Sequence, residues 1–92
     1  MEITKMLTIS TAHVSNETAE LLDIDDILGV VLYPKDDYGW FIHIDEDFMN
    51  DYEDEIPKEL FKLMKFTKDI GCDWLCLDSD GEVLEYLDVY EW

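Results

Sequence analysis

Ser10, Thr11 and His13, in the stretch STAH, place two hydroxyls and an imidazole within four residues. A nucleophile and its general base need those groups, provided the imidazole reaches a hydroxyl. Three neighbours on a strand-to-helix turn are more simply a cap and a turn, because Ser and Thr hydroxyls bond nearby backbone. His43, the second of two histidines, alternates with apolar residues, as a partly buried strand histidine with satisfied hydrogen bonds does. Asp45, Asp47, Asn50, Asp51, Glu53 and Glu55 are oxygen ligands hard enough for calcium, but the run lacks the glycine of a helix–loop–helix calcium site. DSDGE, Asp78 to Glu82, begins as such a loop does, yet a strand pattern follows at once. Cys72 and Cys76 match neither C-x-x-C nor a zinc set of about four ligands, and read as reduced core thiols. Carboxylate pairs abound, so none is singled out for acid–base work. There is no glycine-rich phosphate loop and no arginine to hold an anionic substrate. The expectation is a protein without enzymatic activity, metal or cofactor.

Charge is the strongest signal. The 92 residues carry 24 Asp plus Glu against 6 basic residues, a net charge of −18. Soluble domains usually carry a net charge of magnitude about 2–8. Hydrophobic residues at 48% and aromatics at 13% exclude a disordered acidic tail, and the length suggests one domain over residues 1–92. A field of this sign repels nucleic acid and anionic membranes and steers basic partners in. No stretch approaches the roughly 18 apolar residues of a membrane span, and the N-terminus lacks signal-peptide regions, so a cytoplasmic protein is expected.

The acids fall in patches: Asp23/Asp25/Asp26, Asp36/Asp37, the run from Asp45 to Glu55, and Asp78/Asp80/Glu82 continuing to Glu85, Asp88 and Glu91. In the run, seven of eleven residues are acidic and none is basic. Same-face residues on a strand are about 6.6 Å apart, and helical neighbours about 5–6 Å. Both are of the order of the phosphate spacing on a nucleic-acid strand. Carboxylates held this way can occupy the groove of a nucleic-acid-binding protein and release its counterions as DNA does. The competing readings are a solvated surface and adaptation to salt. Salt adaptation leaves unexplained the absence of arginine, the aromatics and the gathering of Lys58, Lys62, Lys65 and Lys68 on one helix face.

Patterning supplies the frame. Residues 3–9 read as a strand. Ser15 caps a helix over 16–22, with Glu17 in its first turn. Residues 28–33 and 40–44 form a hairpin around PKDDYG, with Trp40, Ile42 and Ile44 on one face and Phe41 and His43 on the other. Phe48, Met49 and Tyr52 suggest a short helical turn inside the acidic run. Pro57 opens a second helix with Leu60, Leu63, Met64 and Thr67 on one face, and Gly71 stops it. Residues 73–77 and 83–89 read as two further strands around DSDG. The order is β-α-β-β-α-β-β, an α+β fold whose mostly antiparallel sheet carries two helices on one face. In the last strand Leu84, Tyr86, Tyr90 and Trp92 share one face and Val83, Leu87 and Val89 the other. Both faces therefore need a cover, from this chain or in a homodimer, or they form an aromatic hot spot rimmed by acid.

TISTAHV at Thr8–Val14, YGWFIHI at Tyr38–Ile44 and DWLCLDSDG at Asp73–Gly81 resemble segments of small uncharacterised proteins of bacteria, their phages and mobile elements. The resemblance spans most of the chain and carries no assigned catalytic residues. It implies a setting in which small acidic proteins inhibit host defence nucleases. Anti-CRISPR and anti-restriction proteins include DNA mimics of this size and charge, a similarity of class rather than descent. The expected function is a stoichiometric inhibitor of a basic nucleic-acid-binding defence protein. Its contact set comprises Asp45, Glu46, Asp47, Asp51, Glu53, Asp54 and Glu55, extended by Asp36, Asp37, Asp78, Asp80 and Glu82 and anchored by Tyr38 or Tyr52. The alternative is an immunity-type or adaptor protein on a basic surface that is not a nucleic-acid groove.

Overall fold

A computed structural model describes residues 1–91. Four strands, β1 (Met6–Ser10), β2 (Val31–Lys35), β3 (Gly39–His43) and β4 (Trp74–Asp78), form one mixed sheet in the order β1-β4-β3-β2. Pairings β2–β3 and β3–β4 are antiparallel and β1–β4 is parallel. Three helices accompany it: α1 (Asn16–Asp23), α2 (Glu46–Asp51) and α3 (Lys58–Asp69). Two 3-10 turns, Thr11–His13 and Glu53–Glu55, complete the regular structure. The α+β layout and mostly antiparallel sheet are as expected from the sequence.

The register assigns each sheet residue to a face. Leu7, Leu75, Ile42 and Leu32 line up across the four strands, as do Ile9, Leu77 and Trp40. These residues point into the core with Thr18, Ala19 and Leu22 of α1 and Leu60, Leu63, Met64 and Thr67 of α3. Trp40, Ile42 and Ile44 are buried as their alternation implied. β2 is an edge strand, which is why Pro34, lacking an N–H, is tolerated within it.

Ser15 caps α1, its hydroxyl accepting from the Thr18 N–H at 3.2 Å. Glu59, in the first turn of α3, accepts from the Ser15 N–H at 3.1 Å and the Thr18 hydroxyl at 2.9 Å, tying the two helix starts together. Burial alone would raise its carboxyl, but the bonds from Ser15 and Thr18 outweigh it and hold the group below its ordinary 4.5. A depressed carboxylate stabilises the fold above its unfolded pKa and loses that contribution as pH falls through the folded one. Glu59→Gln is therefore expected to lose about 1–2 kcal/mol at pH 7. In urea unfolding at stepped pH, the gap to wild type should close below about pH 4.5.

The sequence reading needs correction at the C-terminus. Residues 83–89 form no strand. Instead of alternating, the half-buried positions fall three apart, at Gly81, Leu84, Leu87 and Tyr90. Leu84 and Leu87 pack on the core margin while Val83, Tyr86 and Val89 are exposed. The chain is held by single bonds to the end of β1 and the turn after it rather than by a ladder. Ser10 N–H donates to Glu82 C=O and Tyr90 N–H to Ala12 C=O. The assignment of Trp92 to a strand face lies outside the described residues. Smaller shifts affect β1, which starts at Met6 rather than Ile3, and β2, which starts after a turn at Leu28 and Gly29.

Candidate functional site

Ser10, Thr11 and His13 form a cap and a turn, the simpler of the two readings of STAH. Ser10 Oγ accepts from the Ala12 N–H at 3.0 Å, capping the 3-10 turn. His13 is 1% exposed. Its Nδ1 lies 2.8 Å from the Asp88 carbonyl and its Nε2 accepts from the Leu84 N–H at 3.0 Å. A carbonyl only accepts, so the ring is the neutral tautomer protonated at Nδ1. Both nitrogens are taken up by backbone of the C-terminal segment. His43 stacks edge-on against Trp74, ring centroids 4.9 Å apart, on the sheet face away from the helices. Cys72 and Cys76 are free thiols, and burial pushes that of Cys76 up.

The expected contact residues divide between two ends of the sheet. At one end, the hairpin turn Asp36–Tyr38 abuts the turn after β4, with Ser79 N–H donating to Tyr38 C=O at 2.7 Å. Asp78 is partly neutralised there: the Lys35 ammonium, hydrogen-bonded to it, holds its carboxyl low. Asp80 donates its N–H to Asp78 Oδ1 at 2.8 Å, and Glu82 is exposed. Across a cleft of about 440 Å³, Asn16, Glu20 and Asp23 of α1 face Asp36, Asp37 and Tyr38. Glu20 and Asp23 were absent from the expected set. Their i, i+3 spacing puts them on one helix face, but only the tertiary packing sets that face beside the hairpin turn.

At the other end, about 15 Å along β3, lies the run from Asp45 to Glu55. Asp45 caps α2 by accepting from the Phe48 N–H at 3.2 Å. Met49, fully buried, and Ile56, 4% exposed, pin the run at two points. All seven acids of the run are exposed. Glu46 meets Lys65 at 3.6 Å. The other ion pairs among the described residues join Lys35 to Asp78 and Lys68 to Asp73, so the rest of the run has no cation partner. Phe48 and Tyr52, a third exposed each, pack edge to face amid these carboxylates, centroids 5.3 Å apart. Tyr52 was expected here; Phe48, at i, i+4 to it, is the partner that the helical spacing implied.

Among the described residues no helix is long and apolar enough to cross a membrane. No curated protein and no solved structure matches the chain. A family model, described as the C-terminal domain of a family of unknown function, DUF5983, matches residues 6–92. With nearly the whole chain covered, from the first residue of β1 onward, the protein belongs to the DUF5983 family.

Proposed function

We propose that the protein is a stoichiometric, cytoplasmic inhibitor of a basic nucleic-acid-binding protein, of the kind that mobile elements direct against host nucleases, and that it acts by charge mimicry. The observation that carries this reading is the Asp45–Glu55 segment. Seven exposed carboxylates ride on a helix and a 3-10 turn anchored by Met49 and Ile56, around an exposed Phe48–Tyr52 pair. Like charges this close repel, and a solvated surface would be more stable with them dispersed. A basic groove offsets the repulsion by releasing its counterions. The aromatic pair supplies what charge alone lacks, a compact apolar anchor of the type that dominates binding energy. The free thiols agree with a reducing compartment.

The test replaces Asp45, Asp47 and Asp51 with Asn and Glu53 with Gln together. Asn also caps helices well, so the α2 start survives, and relief of repulsion leaves stability equal or higher. Capture of a nuclease or other nucleic-acid-binding protein from bacterial lysate at about 0.1 M salt should be lost, by at least about a hundredfold in affinity for four charges. Wild-type capture should be displaced by added DNA. A folded variant that still binds would refute this placement. Capture that DNA fails to displace would favour an immunity-type binder instead.

A further inference from the structure

The sheet has a second face, and it carries no net charge. The register assigns to it Met6, Thr8 and Ser10 of β1, Trp74, Cys76 and Asp78 of β4, Gly39, Phe41 and His43 of β3, and Val31, Tyr33 and Lys35 of β2. Its charges, Lys35 and Asp78, are paired with each other at one corner. The remainder is apolar, aromatic or hydroxylic, in a chain whose net charge is −18. Among the described residues no helix covers it: all three helices lie with the opposite face or beyond the strand ends. Tyr33 is 52% and Met6 45% exposed. Trp74 lies between Tyr33 and His43, ring centroids 5.8 and 4.9 Å away. Met6, Tyr33, Phe41 and Trp74 line a shallow apolar depression of about 250 Å³.

We propose that this face is a self-association surface, on which two copies pack sheet against sheet about a two-fold axis. A basic partner gains nothing here, since the carboxylates that would attract it lie on other faces. Covering aromatic rings on a neutral sheet calls for another neutral, apolar surface, and a second copy brings one. Contact between two acidic faces would set carboxylates against carboxylates, which two copies of this face, its one carboxylate paired with Lys35, avoid. An isologous contact needs only a self-complementary patch, and facing sheets pack about 10 Å apart with interdigitating side chains. Four strands of five residues cover on the order of 300 Å² in projection. A standard interface buries about 800 Å² per partner, so the dimer is weak and dependent on concentration.

The proposal stands apart from the mimicry reading, and salt separates them in sign. Two chains of charge −18 repel over a distance that salt shortens, so dimerisation strengthens as ionic strength rises, whereas a complex with a basic partner weakens. The experiment is sedimentation equilibrium of the full chain from about 10 to 500 µM, in about 0.05, 0.15 and 0.5 M NaCl. The expected result is a mass near 10.9 kDa at low salt and a rise toward twice that at high salt. Tyr33→Glu and, separately, Met6→Glu should weaken association at least about tenfold at high salt, by burying an unpaired carboxylate in the contact. Both positions are exposed, so an unchanged thermal midpoint verifies folding. The four-site α2 variant should dimerise as well as wild type, or better, while losing its partner. A chain monomeric in every condition overturns the proposal and leaves the face to an apolar surface of a different protein. A dimer that both substitutions leave intact, or one that salt dissociates, overturns it equally.

Discussion

His13→Ala is expected to release the C-terminal segment. The ring is buried, and it is the fastening that joins residues 84 and 88 to the turn after β1. Truncation removes a packed ring and leaves the Leu84 N–H and Asp88 C=O without partners. An unsatisfied buried group costs about 1–3 kcal/mol, and the lost packing adds to that. The chain has a cheaper response. By detaching, the segment gives both groups to water and loses the partial burial of Leu84 and Leu87, the contact of Tyr86 with Phe66, ring centroids 5.9 Å apart, and the Tyr90 N–H bond to Ala12 C=O, whose groups water also satisfies. The loss should therefore be about 2–3 kcal/mol, roughly 10–20 °C in thermal midpoint for a chain of this size. It should be confined to one region: hydrogen exchange should speed up at the Leu84 and Tyr90 amides while those of β3 and β4 stay protected. Unchanged protection at Leu84 would show that the ring does not hold the segment. An imidazolium, with a proton on each nitrogen, could not accept from Leu84 either, so the neutral ring is the form that keeps this segment in place.

This segment is also where sequence reading failed. The reading over 83–89 rested on alternation, and Val, Tyr and Leu are apolar or strand-prone residues. A spacing of three was present at Leu84, Leu87 and Tyr90, but it competes with a spacing of two over so short a window. What decides between them is remote: the partners of the segment are Ser10, Ala12 and His13, near the other end of the chain. The hairpin, by contrast, was legible because its cues are local, with PKDDYG between two apolar runs and Trp40, Ile42 and Ile44 on one face. So was α3, from Pro57 before its first turn and Gly71 after its last. The acidic site was half legible. The Asp45–Glu55 run and its short helix could be read, since Met49 and Tyr52 mark the period. That Asp36 and Asp37 lie a strand's length from it followed from the hairpin, but that they face Glu20 and Asp23 could not be read. Charge patches have no periodicity that reports which strand end they share. The open sheet face was missed for the same reason: Phe41 and His43 were assigned to one face of their strand, but only the strand order puts Trp74, Tyr33 and Met6 beside them.

Gly39→Ala is expected to be the most damaging single-methyl change in the molecule. Gly39 opens β3 with φ of +154°, and a Cβ there would stand 1.7 Å from the Leu77 carbonyl oxygen. That oxygen belongs to the central strand β4, so relief requires pulling two paired strands apart. Gly71 provides the control. It ends α3 in a Schellman motif, its N–H donating to Lys68 C=O and the Cys72 N–H to Thr67 C=O. Its φ of +88° is as demanding, but a Cβ there meets nothing within 4 Å. Gly71→Ala therefore costs only the left-handed penalty, about 1–2 kcal/mol. Gly39→Ala adds a backbone collision to that penalty and should lose more than about 4 kcal/mol, a large part of the roughly 5–15 kcal/mol that holds a domain together. The expected observation is that the Gly71→Ala protein unfolds cooperatively a few degrees early. The Gly39→Ala protein should be recovered as aggregate or show no cooperative transition. Equal costs at the two positions would mean that β3 can shift at its first residue without disturbing β4. The consequence reaches the site as well. Gly39 sits between the Asp36–Tyr38 turn and the Asp78–Asp80 turn, and the close approach of their backbones, with Ser79 bonded to Tyr38, requires a residue without a side chain. The acidic cleft at this end of the sheet thus depends on a residue that carries no charge.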